Sequence, residues 1–518
     1  MRMRSISSII IKVLAILLVL CLACPAALAT SMDHTLTLGM ISVKSTHLNP
    51  LQSEEREFQS LTALMFEGLY SLDDDYKPQL CLAASCTPDS SGKKWTITMK
   101  EGITFHDGSA CTAYDVEATI NEILRLANEG KGQYAQLKYI ISSVKANDAR
   151  SLVLQVSRPY YGVYYALTFP ILPKEQVQYV TPVGTGPYKA DSFQPTNYLY
   201  LSAYEDWWQG ASTVKNINVM FRAKNQELIS DYEYNRVDAA VTRSASAGQY
   251  RTGLTNLNIT YRTRQLETLQ MNFSEFPLDN VNIRKAIRYA LDLDRICDVV
   301  YMGMARRTDT PLPSGTWMYQ DHDTAYVYNP EKAREILAEE GWEDMDGDGV
   351  LDKMVDGQKK RLRLRIYVYE EQDNTVRVQV ANLIRGMLEN VGFEAPVITE
   401  SFTTIKEKLT KRNYDLCIAA FQMDVIPDPG FLLMSNNTGN YTGYKSATMD
   451  KLFKQLRAAT DFMTYQSLLH QIQDQFAQDC PFICLYYRCG ALLTRKIFTV
   501  AKDVREPEVL RGIESIGK

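Results

Sequence analysis

The sequence predicts an α/β fold, and three observations carry that prediction. The C-terminal half alternates strand and helix patterns at short spacing. The stretch 94–128 reads as strand, turn and helix without interruption. The chain has 518 residues, 45% of them hydrophobic and 23% charged, which suits a globular protein too long for one ordinary core. Two or three domains are expected.

The elements follow in order. Thr35 to Met40 is the first expected strand. Trp95, Ile97 and Met99 then share one face of a half-buried strand. A polar turn leads to Ile103 and Phe105, and a helix begins near Thr112. Between them stands His106-Asp107-Gly108. It is read as a chain reversal rather than a catalytic pair, because Asp and Gly at these positions serve the backbone. Ile283, Ile287, Ala290 and Leu291 form an apolar helical stripe for core packing.

Asn329-Pro330-Glu331 supplies a cap, a preset first φ and an acid in the first turn of a helix. Ala333, Ile336 and Leu337 are its apolar face, and Gly341 stops it. Leu362, Leu364, Ile366 and Val368 alternate with polar residues as one strand should. A helix follows over 374–390, stopped by Gly392. Then come a strand over 395–399, a helix over 403–410 and an apolar strand over 416–421. This spacing implies parallel strands joined by crossover helices. There is no internal repeat and no long Pro/Gly linker. Domain boundaries are therefore expected where the chain crosses between bodies.

Residues 1–29 are read as a removable export leader. Arg2, Arg4 and Lys12 accompany an apolar run from Val13 to Leu20, and Ala27-Leu28-Ala29 has the small-x-small form of a cleavage site. The preferred expectation is a protein free in the periplasm. The alternative is a lipid anchor through Cys24 at the outer face of the cytoplasmic membrane. No other run approaches the ~20 apolar residues that a membrane helix needs. Loss of the leader removes three basic groups from a chain with 56 basic and 61 acidic residues. That acidic balance argues against nucleic acid as a partner.

Eight of the ten cysteines lie beyond the leader. In an oxidising compartment some pairing is an alternative, with Cys81–Cys86 the easiest by local reach, but the default is buried thiols. The lack of a CxxC and five scattered histidines weigh against zinc. One segment resembles a calcium loop. Asp344, Asp346, Asp348 and Asp352 stand at positions 1, 3, 5 and 9, with Gly349 at position 6. Val355 stands where a bidentate Glu is needed. A plain hairpin turn is expected, with weak calcium binding as the alternative.

Several segments then share a pattern. They are Phe66-Glu67-Gly68-Leu69-Tyr70, the 94–128 stretch, Val183-Gly184-Thr185-Gly186-Pro187-Tyr188 and Ala203 to Gly210. Asn282 to Asp292, Asp415 to Pro429 and Tyr444 to Leu452 complete the set. In this order they resemble the family 5 solute-binding proteins, the peptide/nickel-type receptors of bacterial ABC importers. The resemblance implies a two-lobed periplasmic-binding-protein fold of type II, cluster C-like, with an extra domain. One lobe would comprise residues 31–66, 183–268 and 478–518. Residues 67–182 would form the extra domain and 269–477 the second lobe.

It further implies a monomer without catalysis or cofactor, which binds a short peptide between the lobes and delivers it to the importer's permease subunits. Asp424 would take the ligand's ammonium. The backbone at Phe421, Gln422 and Met423 would pair with the ligand. Asn440, Tyr444, Tyr486 and Tyr487 would line the cleft. The other readings are a non-peptide solute (a nickel chelate, haem or an oligosaccharide), a signalling receptor, or a secreted hydrolase. The hydrolase is disfavoured because the sequence has no GxSxG, no HExxH and no placeable glycosidase pair.

Overall fold

Period-two alternation in the C-terminal half builds a sheet covered on both faces. The computed structural model describes residues 35–53, 55–250, 252–321, 327–371, 375–495 and 503–515. Strand Ile366–Tyr369 pairs in parallel with Val397–Glu400 on one side and with Leu416–Gln422 on the other. Ile366, Val368, Leu416 and Ile418 face Val380 and Ile384 of helix Val376–Glu389. Tyr367, Cys417 and Ala419 face Ile405 and Leu409 of helix Phe402–Lys411. Each buried aliphatic side chain contributes roughly 1.5–3 kcal/mol, so a one-residue slip would turn a large favourable term into exposure.

These elements fall within a residue or two of expectation, and Asn374 lies outside the described residues. The strand expected from Leu362 starts later, at Ile366. Leu362 and Leu364 are buried, but their N–H groups bond the carbonyls of Leu351 and Glu394 outside the main ladder. The Gly392 stop is required twice over. Its φ is +99°, and a Cβ there would collide with the Leu351 side chain.

The main sheet runs in the spatial order Val397–Glu400, Ile366–Tyr369, Leu416–Gln422, Asn256–Met271, Phe482–Arg495, Ala239–Thr242, Thr35–Ile41, Asn216–Arg222, Tyr198–Ala203 and Tyr188–Gln194. Two long antiparallel strands, Asn256–Met271 and Phe482–Arg495, join its two wings. One wing attaches through residues 265–271 and the other through 491–494. Between them the ladder is irregular from Arg262 to Leu266. A separate four-stranded sheet, Ala83–Pro88, Lys94–Met99, Ser151–Val156 and Ile141–Ala146, packs against helix Ala113–Asn128. Asp115 reaches back to the Thr112 N–H at 2.8 Å, the reciprocal cap that starts this helix.

The sequence motifs meet in space as a structural knot. Glu67 accepts hydrogen bonds from Thr185 Oγ1 at 3.0 Å and Trp208 Nε1 at 2.9 Å. Gly184 donates to His106 Nδ1 at 3.3 Å, and the His106 N–H donates to the Gly184 carbonyl at 2.9 Å. A Cβ on Gly184 would collide with the Met65 carbonyl. The His106 turn thus has a scaffold role. Burial pushes the imidazole down to about 4, which keeps it neutral.

All eight described cysteines are free. The pairing of Cys81 with Cys86 fails because the chain between them is largely extended. At about 3.3 Å per residue it carries them past the ~7 Å limit for a disulfide. Among the described residues no helix is long and apolar enough to cross a membrane. Residues 1–29, with Cys21 and Cys24, lie outside the described residues.

Candidate functional site

The loop Met423–Pro429 leaves the carboxyl end of strand Leu416–Gln422, where open α/β sheets present ligand sites. It starts beside the irregular crossing of the long strands, for Met423 N donates to the Arg264 carbonyl at 2.9 Å. Its far end is pinned. Asp428 receives Arg457 Nε at 2.6 Å, the Gly430 N–H at 2.9 Å and Tyr160 OH at 3.3 Å. Tyr465 OH donates to the Pro427 carbonyl at 3.0 Å. The fixed loop holds Asp424 toward a cavity of about 410 Å³.

The cavity draws its walls from remote parts of the chain. Gln59, Tyr76 and Tyr134 come from the N-terminal third, and Arg262 and Arg264 from the long strand. Met318, Tyr487 and the segment from Arg505 onward close the remaining sides. The Asp424 side chain is exposed, and it lines this cavity. It accepts the Ile426 N–H at 3.1 Å. Burial raises its carboxyl above the ordinary range, against the pull of the backbone N–H groups and of Arg264.

Of the residues expected at the site, Asp424, Met423 and Tyr487 line the cavity. The other five do not, and each has a different physical reason. Phe421 is half-buried against Tyr441 and Phe431. Gln422 is exposed and opposite Gln265 in the ladder. Asn440 is buried and spends its Nδ2 on the carbonyls of Met434 and Tyr444. Tyr444 is buried with its hydroxyl on Asp479. Tyr486 is fully buried with its hydroxyl 3.0 Å from that of Tyr301. Its neighbour Tyr487 does line the cavity, since successive strand residues face opposite sides.

The acidic loop is answered by its own hairpin. The carboxylates of Asp344, Asp346 and Asp348 are exposed and lie within 4.8 Å of one another. Lys359 Nζ stands 2.5 Å from Asp346 and 2.9 Å from buried Asp352, and Arg361 lies 2.7 Å from Asp348. Asp344 accepts the N–H groups of Gly347 and Gly349 at 2.8 and 3.0 Å. A dication would have to displace two cations, so the donor set fits a hairpin turn better than a resident calcium.

Sequence reading missed Tyr76, Tyr134, Arg262, Arg264 and the C-terminal segment. They sit far apart in sequence and carry no motif. Tyr487 was one of a pair, and strand alternation could have singled out one of the two.

Comparison with known proteins matches the chain to a family. Residues 77–443 match the family described as bacterial extracellular solute-binding proteins, family 5 Middle. The chain is 26% identical over 479 residues to the oligopeptide-binding protein AppA of Bacillus subtilis strain 168, covering 87% of this chain and 86% of that one. It is 25% identical over 308 residues to the glutathione-binding protein GsiB of Escherichia coli strain K12, 57% of this chain and 60% of the relative.

Among solved structures, NikA from Brucella suis in complex with Fe(III)-EDTA superposes with a TM-score of 0.80 at 18% identity, covering 93% of this chain and 99% of that one. AppA from Bacillus subtilis in complex with a nonapeptide gives 0.68 at 23% identity, with 93% and 98% covered. The fold is therefore the two-lobed one shared by these proteins. On the family match, the chain belongs to the bacterial extracellular solute-binding proteins, family 5.

Proposed function

We propose that this protein is the receptor of an ABC importer for short peptides, and that Asp424 takes the ligand's N-terminal ammonium. One observation carries the reading. A carboxylate faces a cavity with a backbone N–H as its hydrogen-bond donor, and among the described residues no cation lies within ion-pair distance of it. Such a group gains from a ligand cation, because charge-assisted hydrogen bonds are roughly twice as strong as neutral ones. The likeness to oligopeptide-binding AppA over most of both chains supports a peptide as that cation's carrier.

The lobes on this reading are residues 31–66, 183–268 and 478–518 for one, and 269–477 for the other, with 67–182 as the extra domain. The irregular ladder at Arg262 to Leu266 would be the crossing about which they close. Closure would present the surface read by the permease, and the exported monomer would catalyse nothing.

The test is mass spectrometry of small molecules released from the purified protein on denaturation. Peptides carried by the wild type and lost in Asp424→Ala support the reading. A metal chelate or a glycan in their place overturns it. A chelate would bring its own carboxylates and so would not depend on Asp424.

A further inference from the structure

Six aromatic side chains outside the cavity meet at one place. On the reading above, Tyr160, Tyr161 and Tyr165 belong to the extra domain, and Trp317, Phe462 and Tyr465 to the second lobe. Tyr161 meets Tyr465 and Phe462 at ring-centre distances of 5.3 and 6.1 Å. Tyr160 lies 6.1 Å from Tyr465, and Tyr165 stacks on Trp317 at 6.5 Å. Trp317 reaches Phe462 at 4.8 Å, which closes the group. The Tyr161 N–H crosses as well, to the Ala459 carbonyl at 2.7 Å. Ring pairs at these distances attract one another beyond the plain burial of their area. None of the six lines the cavity.

Their polar tips hold the cavity's walls. Tyr160 OH donates to Asp428 at 3.3 Å and Tyr465 OH to the Pro427 carbonyl at 3.0 Å, both in the Asp424 loop. Tyr165 OH and Trp317 Nε1 donate to the Tyr76 carbonyl at 3.1 and 3.4 Å. Tyr76 lines the cavity with a φ of +64°, a left-handed conformation that disfavours any residue with a Cβ. The two donors on its carbonyl keep it there. Gly162 permits the arrangement on the other side. A Cβ at this position would lie 2.4 Å from the Tyr160 ring, so any larger residue would push that ring away from its place.

Resting on the reading that the Asp424 loop holds the ligand, we propose that this aromatic clasp is the extra domain's part in binding, with Tyr160 and Tyr165 as positioning residues. They set two walls of the cavity without touching what it contains. Asp428 is also held by Arg457 and by the Gly430 N–H, both within the second lobe. Tyr160 adds a hold from the extra domain. Asp424 stands four residues earlier in the same loop, so freedom gained at Asp428 reaches it through the backbone. A loosened loop must be ordered by the ligand on binding. That ordering weakens the grip although no contact to the ligand is lost.

The experiment compares the purified full chain with its Tyr160→Phe variant, which loses one hydroxyl and keeps the ring. Binding of a random tripeptide pool is read by native mass spectrometry, and hydrogen exchange of the ligand-free protein is read over residues 421–431. The variant is expected to bind the pool about three- to tenfold more weakly. Its loop should exchange at least about threefold faster while the core strands exchange as before, a local change that a general loss of stability does not produce. Equal affinity or equal loop exchange in the two proteins overturns the assignment and leaves the peptide reading standing. If the wild type binds no peptide, the peptide reading falls, and loop exchange alone decides the clasp. Should Tyr160→Phe fail to fold, Tyr165→Phe decides, with exchange read over residues 72–77. Faster exchange there with weaker binding supports the clasp, and no change in either overturns it.

Discussion

Asp424 and Asp428 share a loop and divide its work. Asp428 spends its oxygens on Arg457, Gly430 and Tyr160, which fixes the backbone. Asp424 is left facing the cavity, where burial raises its carboxyl. Asp424→Asn should therefore weaken peptide binding at least tenfold by titration calorimetry, the scale of a lost charge-assisted pair. The same change should hold or slightly raise the melting temperature of the ligand-free protein near neutral pH. A raised folded value means that this acid contributes stability only when protonated, and loses it as pH rises through that value.

Glu67 poses the same question in the scaffold. Burial lifts it to about 7 despite hydrogen bonds from Trp208 and Thr185. Its contribution is full below the ordinary carboxylate range and falls as pH rises toward 7. His106, pushed down to about 4, gives the opposite slope below its ordinary value. The difference between wild type and Glu67→Gln cancels the histidine. That difference in denaturation free energy should move in favour of the variant by about 1–3 kcal/mol between pH 5 and 8.

Elements were the most legible level of this chain. Helix Pro330–Glu339 begins where Asn329 accepts the Lys332 N–H at 2.9 Å, as Asn-Pro-Glu implies. Local chemistry decides such ends, so sequence suffices. Helix Ala113–Asn128 depends on Asp115, whose carboxylate also receives the Lys174 N–H at 2.8 Å. Asp115→Ala removes the acceptor of two backbone donors in a buried place. It should cost roughly 2 kcal/mol in urea unfolding with an unchanged m-value. Loop walls were less legible. Asn440 and Tyr444 share a segment with the site motifs, but each has its polar group bound by nearby structure.

At the scale of the whole molecule, a buried charge cluster ties the two long strands to helix Val376–Glu389 of one wing. Fully buried Glu267 meets Arg377 at 2.8 Å and Arg488 at 2.7 Å. Burial alone would raise this acid, and the two guanidinium groups overcome it and hold it at about 2. Glu267→Gln leaves the two arginines to share the single carboxylate of Glu371, at 2.8 and 3.1 Å, and should lower stability by about 2–4 kcal/mol in denaturant melts. The wild-type contribution should persist at neutral pH and fade as pH drops toward 2.

The sequence by itself determined the α/β class, the parallel crossovers and the caps, because periodicity and capping are local in the chain. It also marked Asp424, which stands at the end of a strand whose apolar pattern is plain. Only the tertiary structure decided which groups share the cavity with that acid. Arg264, Tyr134 and the segment after Arg505 become neighbours through long-range packing. Whether a polar side chain is free or already bonded depends on partners that no local pattern records, and on this point Tyr486 and Tyr487 part company.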